Sequence, residues 1–416
     1  MIRAWAGGTF AALATPNYRR YFAGQAVSLV GTWMQTVAQA WLVLEMTGSG
    51  TALGLVAGAQ FLPILLLAPY GGLLADRMDK RRLLIATQVA LGAIALTLGV
   101  LTVTGAVELW MVIALALALG LVTACDNPAR QSFAQEMVGA GNLRNAVSLN
   151  SVLVNSARAV GPAVAGVLIA TVGTGLCFLI NAASYIAVVV ALAGMDVAAL
   201  RPAPRAAREP RQVRQGLSYV AHTPDLLVPL MMLAVVGTLA YEFQVVLPLL
   251  AEGTFGGGAG TYGLLTSAMG AGAIVGGLVV AGRGRTGLPA LTLAAATFGA
   301  AILVAAAAPT VAVALVALAV VGATSVTFLA VGNTTLQLTA EPRFRGRVMA
   351  LWAVAFLGST PVGAPLIGAV SEHLGARGGL VIGGVACLVA AGMGAVASAR
   401  RRDHDGRPRT VEPHPA

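Results

Sequence analysis

A chain of 416 residues that is 57% hydrophobic and only 10% charged, with a mean hydropathy of +0.83, falls outside the range of soluble globular proteins and fits a polytopic membrane protein. Its net charge of +10 would point to nucleic acid in a soluble protein, but here the arginines fall between apolar runs and read as topology signals, so no nucleic-acid partner is expected. Three scattered cysteines (Cys125, Cys177, Cys387), four histidines in loops or the tail and a single lysine, Lys80, exclude a metal centre, a Gly-Lys-Ser/Thr phosphate loop and an ATP-driven pump; no nucleophile–base pair stands out, so neither an enzyme nor a cofactor is expected.

Apolar runs of about 20 residues mark membrane crossings. They fall at 21–44, 51–75, 83–104, 109–129, 146–170, 174–195, 226–250, 261–281, 288–307, 310–335, 348–371 and 377–398, which predicts an all-α membrane protein with twelve transmembrane helices. The N-terminus lacks the order of charged leader, apolar core and cleavage site, so no cleaved signal peptide is expected. On the first helix, Gln25, Ser28, Thr32, Gln35 and Gln39 recur on one stripe. Such a stripe either lines a cavity or bonds neighbouring helices together.

Between the second and third runs lies Gly72-Leu73-Leu74-Ala75-Asp76-Arg77-Met78-Asp79-Lys80-Arg81-Arg82. The ionisable cluster from Asp76 to Arg82 cannot lie in hydrocarbon, where each charge would cost roughly 2.5–3.5 kcal/mol or more. It must form a tight turn at a membrane surface, with Gly72 allowing two helices to approach just before it. The spacing Gly-x-Leu-Ala-Asp-Arg-x-x-Lys-Arg-Arg resembles the loop signature of the major facilitator superfamily between its second and third transmembrane helices. The usual glycine after Asp-Arg-x is replaced by Asp79, a form that resembles the branch holding the enterobactin exporter and macrolide efflux proteins. The resemblance implies two six-helix pseudo-repeat bundles and a conformational gate made from Gly72, Asp76, Arg77 and Lys80. It also implies that Asp76 meets the start of the eleventh helix near Arg345-Gly346-Arg347, and that Lys80 meets an acid of the fourth helix. Asp126, within Asp126-Asn127-Pro128-Ala129-Arg130, is the acid expected there, with Arg130 beside it.

The fifth helix places Ser151, Asn155, Arg158, Pro162 and Gly166 on one face. Pro162 cannot donate to the carbonyl of Arg158 and bends the helix there. Gly161-Pro162-x-x-Ala165-Gly166 is similar to the antiporter motif of drug-exporting facilitators, which implies export coupled to protons; the same residues also allow close helix packing. Arg158 at mid-membrane depth requires protein or water around it.

The polar stretch 196–224 divides the chain. Its Pro- and Arg-rich front predicts a flexible linker, and Val213, Leu217 and Val220 at helical spacing predict a short amphipathic helix on the membrane surface. The domains read as 1–195, a first six-helix bundle; 196–224, the linker; 225–399, a second six-helix bundle; and 400–416, a tail. On the seventh helix, Glu242 is the one carboxylate that these spans place well inside the bilayer, flanked by Tyr241 and Gln244. A carboxyl buried there can exchange a proton or hold a fixed ion pair, and Arg158 is the opposite charge available to it. Asn333 and Gln337 are weaker polar candidates, and Gly270-x-Gly272-x-x-x-Gly276 lies inside a span, where it serves packing.

Arg345-Gly346-Arg347-Val348 leading into Gly363-Ala364-Pro365-Leu366-Ile367-Gly368 repeats Arg144-Asn145-Ala146-Val147 leading into Gly161 to Gly166, as in parallel-repeat transporters. Placing both termini in the cytoplasm leaves only Arg377 outside and only Arg158 within a span. These readings converge on a monomeric secondary transporter of a bacterial plasma membrane. It would export a small organic or amphipathic molecule, of drug or siderophore type, against protons. A proton-coupled uptake carrier and a non-transporting receptor or scaffold on the same fold are the alternatives. The expected cavity lining is Gln25, Ser28, Thr32, Gln35, Gln39, Asn155, Tyr241 and Gln244, with Glu242 and Arg158 as the proton-coupling pair.

Overall fold

The computed structural model describes residues 10–201, 212–283 and 286–405. Among the described residues every regular element is a helix: α1 (Pro16–Thr47), α2 (Gly50–Arg77), α3 (Lys80–Val103), α4 (Leu109–Val172), α5 (Thr174–Ala193), α6 (Gln212–Ala221), α7 (Pro224–Ala240), α8 (Phe243–Leu249), α9 (Ala259–Arg283), α10 (Leu288–Ala306), α11 (Val311–Thr339), α12 (Arg345–Leu357) and α13 (Thr360–Asp405). Short 3-10 and π turns, Ala11–Ala14 and Leu250–Thr254, complete them. Ten helical stretches among the described residues are long and apolar enough to cross a membrane. Two of these are far too long for one crossing: α4 has 64 residues, about 96 Å of helix at 1.5 Å per residue, against a hydrocarbon core of about 30 Å. It breaks at Gly139, whose φ of 72° needs a residue without a Cβ, and α13 breaks in the same way at Gly375 with φ 75°.

The apolar side chains are distributed as in a protein dissolved in lipid. Val27, Leu66, Val167, Ile186, Leu278 and Val316 point outward, while Gln25, Gln35, Asp126 and Asn181 are enclosed. The charged turn is two residues long. Met78 ends α2, and Asp79 caps α3 by accepting the amide of Arg82 at 2.9 Å, which gives the aspartate at the customary glycine position a structural job.

Two seams join the two halves of the chain, and both are lined by residues small enough for backbones to touch. In one, α2 runs against the first limb of α13. A Cβ on Gly54 would fall 2.7 Å from the Pro365 Cα, and one on Gly58 would fall 3.3 Å from the Pro361 carbonyl. In the other, the second limb of α4 runs against α9, with Gly166 facing Ala259, Gly260 and Gly263. The sequence repeat is visible here. Gly161 packs on α1 and Gly166 on α9, while Gly363 packs on α7 and Gly368 on α2.

Two expectations need correction. The seventh apolar run is interrupted: Tyr241 and Glu242 lie outside helix, between α7 and α8. The fourth run continues past 129 as helix to Gly139, which carries Asp126 and Arg130 into the protein interior. The predicted short helix is present as α6. Its Tyr219 ring stacks on Phe344 with centroids 4.2 Å apart, tying it to the turn between α11 and α12. The front of the linker, 202–211, and the tail from 406 lie outside the described residues.

Candidate functional site

The polar stripe of α1 faces the first limb of α4 across a cavity of about 160 Å³. Ser28, Thr32, Gln35 and Gln39 line it as expected, joined by Gln60 from α2, Tyr185 from α5, and Thr123, Asp126, Asn127 and Arg130 from α4. Gln25 sits behind this surface and accepts a hydrogen bond from Arg130 Nη1 at 2.6 Å. A small void lined by Thr36, Gln39 and Gln60 adjoins the cavity and reaches Gln244, so the polar surface continues from the first half of the chain towards the second.

Asp126 and Arg130, one helical turn apart, form an ion pair whose carboxylate is 2% exposed and whose guanidinium is 23% exposed. Asp126 Oδ2 accepts from both Arg130 Nε and Nη2. Its Oδ1 accepts from Thr87 Oγ1 at 2.7 Å and Gln88 Nε2 at 2.9 Å, both on α3. A carboxylate enclosed this deeply stays charged only when its hydrogen-bond capacity is met, and that of Asp126 is. The expected contact between Lys80 and Asp126 is therefore not made. Lys80 Nζ meets Glu136 Oε1 at 2.5 Å instead, because Glu136 lies nearly three turns further along α4, at the level where α3 begins. Gly72 and Asp76 belong to α2, but the surroundings of Gly72 and the side chain of Asp76 lie outside what is described, as does any contact of Asp76 with α12. Arg77 is exposed at the end of α2, and Arg345 donates from Nε to the Gln337 carbonyl at 2.9 Å.

The expected pairing of Arg158 with Glu242 is also absent among the described residues. Arg158 places its guanidinium over the Trp33 ring, 5.5 Å from the centroid, where the ring face attracts a cation. Glu242 is 5% exposed, and its Oε1 has no hydrogen-bond partner among the described residues. Gly363 makes room for it, since a Cβ there would stand 2.9 Å from that oxygen. Tyr241 does not line the cavity. Its hydroxyl donates to the Ser325 carbonyl at 2.7 Å, and its ring meets Phe356 edge-on at 4.7 Å. Asn155 turns back on its own helix and donates to the Ser151 carbonyl. Gly161 packs against Val30, Trp33 and Met34 of α1, so the antiporter-like glycines, with Pro162 between them, lie at helix contacts on both sides.

Sequence reasoning did not find Gln60, Thr123, Asn127, Tyr185 or Glu136. The i,i+4 spacing of Asp126 and Arg130 was the available signal, and it was masked by ending the apolar run at the first charged residues.

The family described as transmembrane secretion effector matches residues 7–416. The staphyloferrin A transporter of Staphylococcus aureus is 31% identical over 166 residues, 40% of this chain and 42% of that protein. Macrolide efflux protein A of Streptococcus pyogenes is 28% identical over 147 residues, 35% of this chain and 36% of that protein. The enterobactin exporter EntS of Shigella boydii is 26% identical over 268 residues, 63% of this chain and 62% of that protein. The matched stretch thus spans between 36% and 62% of these relatives. In fold, the chain resembles a bacterial homologue of the human lysosomal transporter Spinster in an inward-facing, occupied conformation. The TM-score is 0.73 at 15% identity, over 92% of this chain and 96% of that one.

Proposed function

The chain belongs to the transmembrane secretion effector family of major facilitator transporters, and on that premise we propose that it exports a small organic molecule of drug or siderophore type by proton antiport. It is a multi-pass helical membrane transporter and not an enzyme. The proposal adds direction, coupling and site. Each broken helix, α4 and α13, counts as two crossings, giving twelve, with both termini in the cytoplasm of a bacterial plasma membrane and the chain working as a monomer. The siderophore and macrolide relatives support the substrate type, and two of them are named for export or efflux.

One observation carries the coupling. Glu242 is enclosed, bonded to Thr360 but with its Oε1 unpartnered and no cation paired with it among the described residues, and set in a helix break beside Gly363 of α13. An ionised carboxylate in such surroundings is costly without a partner, whereas a protonated one is not. A proton that arrives and leaves as the halves rock would therefore bias the equilibrium between the two states. Arg158, stacked on Trp33, is the cation that Glu242 could approach in another state of the cycle. The cluster Gly72, Asp76, Arg77 and Lys80 acts as the gate at the basic end, with Glu136 as the partner of Lys80. The cavity between α1 and α4 is the substrate site, and the two glycine seams hold the opposite end closed.

Accumulation of a compound panel in cells with and without the gene tests this reading. At least one compound should accumulate more in cells lacking the chain, and a protonophore should abolish the difference. A difference that survives the protonophore contradicts proton antiport, and accumulation that rises with the chain present contradicts export.

A further inference from the structure

Building on the transport reading above, we infer that the carried molecule is an organic anion that presents carboxylate-type oxygens to Arg130, with Arg158 as a second cation at the rim of the same space. The polarity of the Asp126–Arg130 pair decides this. A carboxylate offers about four lone-pair positions, and Asp126 meets donors from Thr87, Gln88 and two nitrogens of Arg130. Nothing remains on it for a cationic ligand. Arg130 uses Nε and one N–H of each Nη in its bonds to Asp126 and Gln25, which leaves a second N–H on each terminal nitrogen. It is also the partly exposed member of the pair, 23% against 2%, so of the two lining groups the cation is the more accessible.

Two further groups give the same sign. Gln35 spends its carbonyl on Asn181 Nδ2 at 2.6 Å, which leaves its amide N–H groups for the cavity that it lines. Arg158 has no acidic partner among the described residues and is held over Trp33. Trp33 falls on the α1 stripe between Leu29 and Thr36, both of which line the cavity. Arg130 thus brings a guanidinium to the cavity beside a carboxylate that is already satisfied, and Arg158 adds a second cation on Trp33, next to the lining residues of α1. A bidentate fork is the geometry that suits a carboxylate or a similar planar oxyanion. A lipophilic cation finds no counter-charge there.

The test uses the full-length chain reconstituted in vesicles under an imposed pH gradient. The probes are benzene-1,3-dicarboxylate, its diamide and the diamine of the same skeleton. The dicarboxylate should move at least about tenfold faster than either analogue, the margin that a charge-assisted hydrogen bond commands. The paired variant Asp126→Asn/Arg130→Gln removes both charges and strands neither. It should stay monodisperse and lose the anion preference, and Arg158→Gln should weaken that preference. Preferred movement of the diamine or the diamide overturns the inference and leaves transport standing, as does an anion preference that survives in the paired variant. Movement of none of the probes by the wild-type chain counts against transport itself and removes the inference with it.

Discussion

In the first half of the chain, the space between α1, α3, α5 and the first limb of α4 is filled by an ion pair and a ring of amides and hydroxyls. In the second half, Tyr241, Phe243, Phe298, Phe328 and Phe356 form a run of ring contacts beside one carboxyl, Glu242, that has no counter-charge among the described residues. The scaffold repeats across the two halves: glycines at matching places in the second limb of α4 and in α13 let backbones touch along both seams. The filling does not repeat. Close backbone contact has one solution, the absence of a side chain, and so is retained in both halves. Interior chemistry is free to diverge, and here it divides a polar interior holding an ion pair from a ring-lined one holding a carboxyl without a counter-charge among the described residues.

The comparison breaks most visibly at Arg130. Arg130→Ala strands the Asp126 carboxylate among α3 and α4 side chains, and breaking such a pair costs about 3 kcal/mol, the low end for buried pairs because Arg130 is partly exposed. Thermal or denaturant unfolding of the purified chain should show this loss, and Asp126→Asn/Arg130→Gln should recover most of it. The seams come next. Gly263→Val would force a Cβ to within 2.9 Å of the Gly166 Cα, and overpacking of this kind costs about 1–3 kcal/mol. Gly260→Ala, one turn away with open space where its Cβ would go, should change stability by no more than about 0.5 kcal/mol. Equal effects at the two positions would mean that the seam is not closely packed. The smallest effect is expected at Glu372, whose Oε2 accepts from Ser49 Oγ at 2.7 Å and from the Thr51 amide at 2.9 Å, joining α13 to the start of α2 across the seam. Glu372→Gln should leave the melting temperature unchanged while broadening spin-label distances between the halves at that end. An unaltered distribution would reduce this contact to surface decoration.

Much of the fold was legible because lipid imposes it. Apolar runs, the arginine distribution and the Gly/Pro repeat are each direct consequences of a membrane solvent, and helices appear where they predict. The stripe on α1 was legible for the same reason, since four of its five residues line the cavity. What did not show was where a helix continues beyond the apolar core. Asp126 and Arg130 look like the end of a span in sequence, yet α4 carries them inward and on to Glu136, which captures Lys80. The break at Tyr241 and Glu242 is equally silent, because neither residue is a glycine or a proline and no local signal marks it. Pairing failed as well: two opposite charges within spans suggested an ion pair, but Arg158 found an aromatic face instead. Sequence reports which groups need a partner and leaves the choice among available partners to packing.

The account rests on the division of labour between the two halves, and one measurement tests it most directly. Wild type and Glu242→Gln are reconstituted in vesicles, and two rates are read on the same preparation: exchange of a transported compound without a gradient, and its accumulation driven by an imposed pH gradient. The account predicts that Glu242→Gln retains exchange, because the cavity of α1 and α4 is untouched, and loses gradient-driven accumulation, because no proton can bind at residue 242. Gradient-driven accumulation at the wild-type rate in Glu242→Gln would contradict it, placing the proton elsewhere and leaving Glu242 as a buried group of the scaffold.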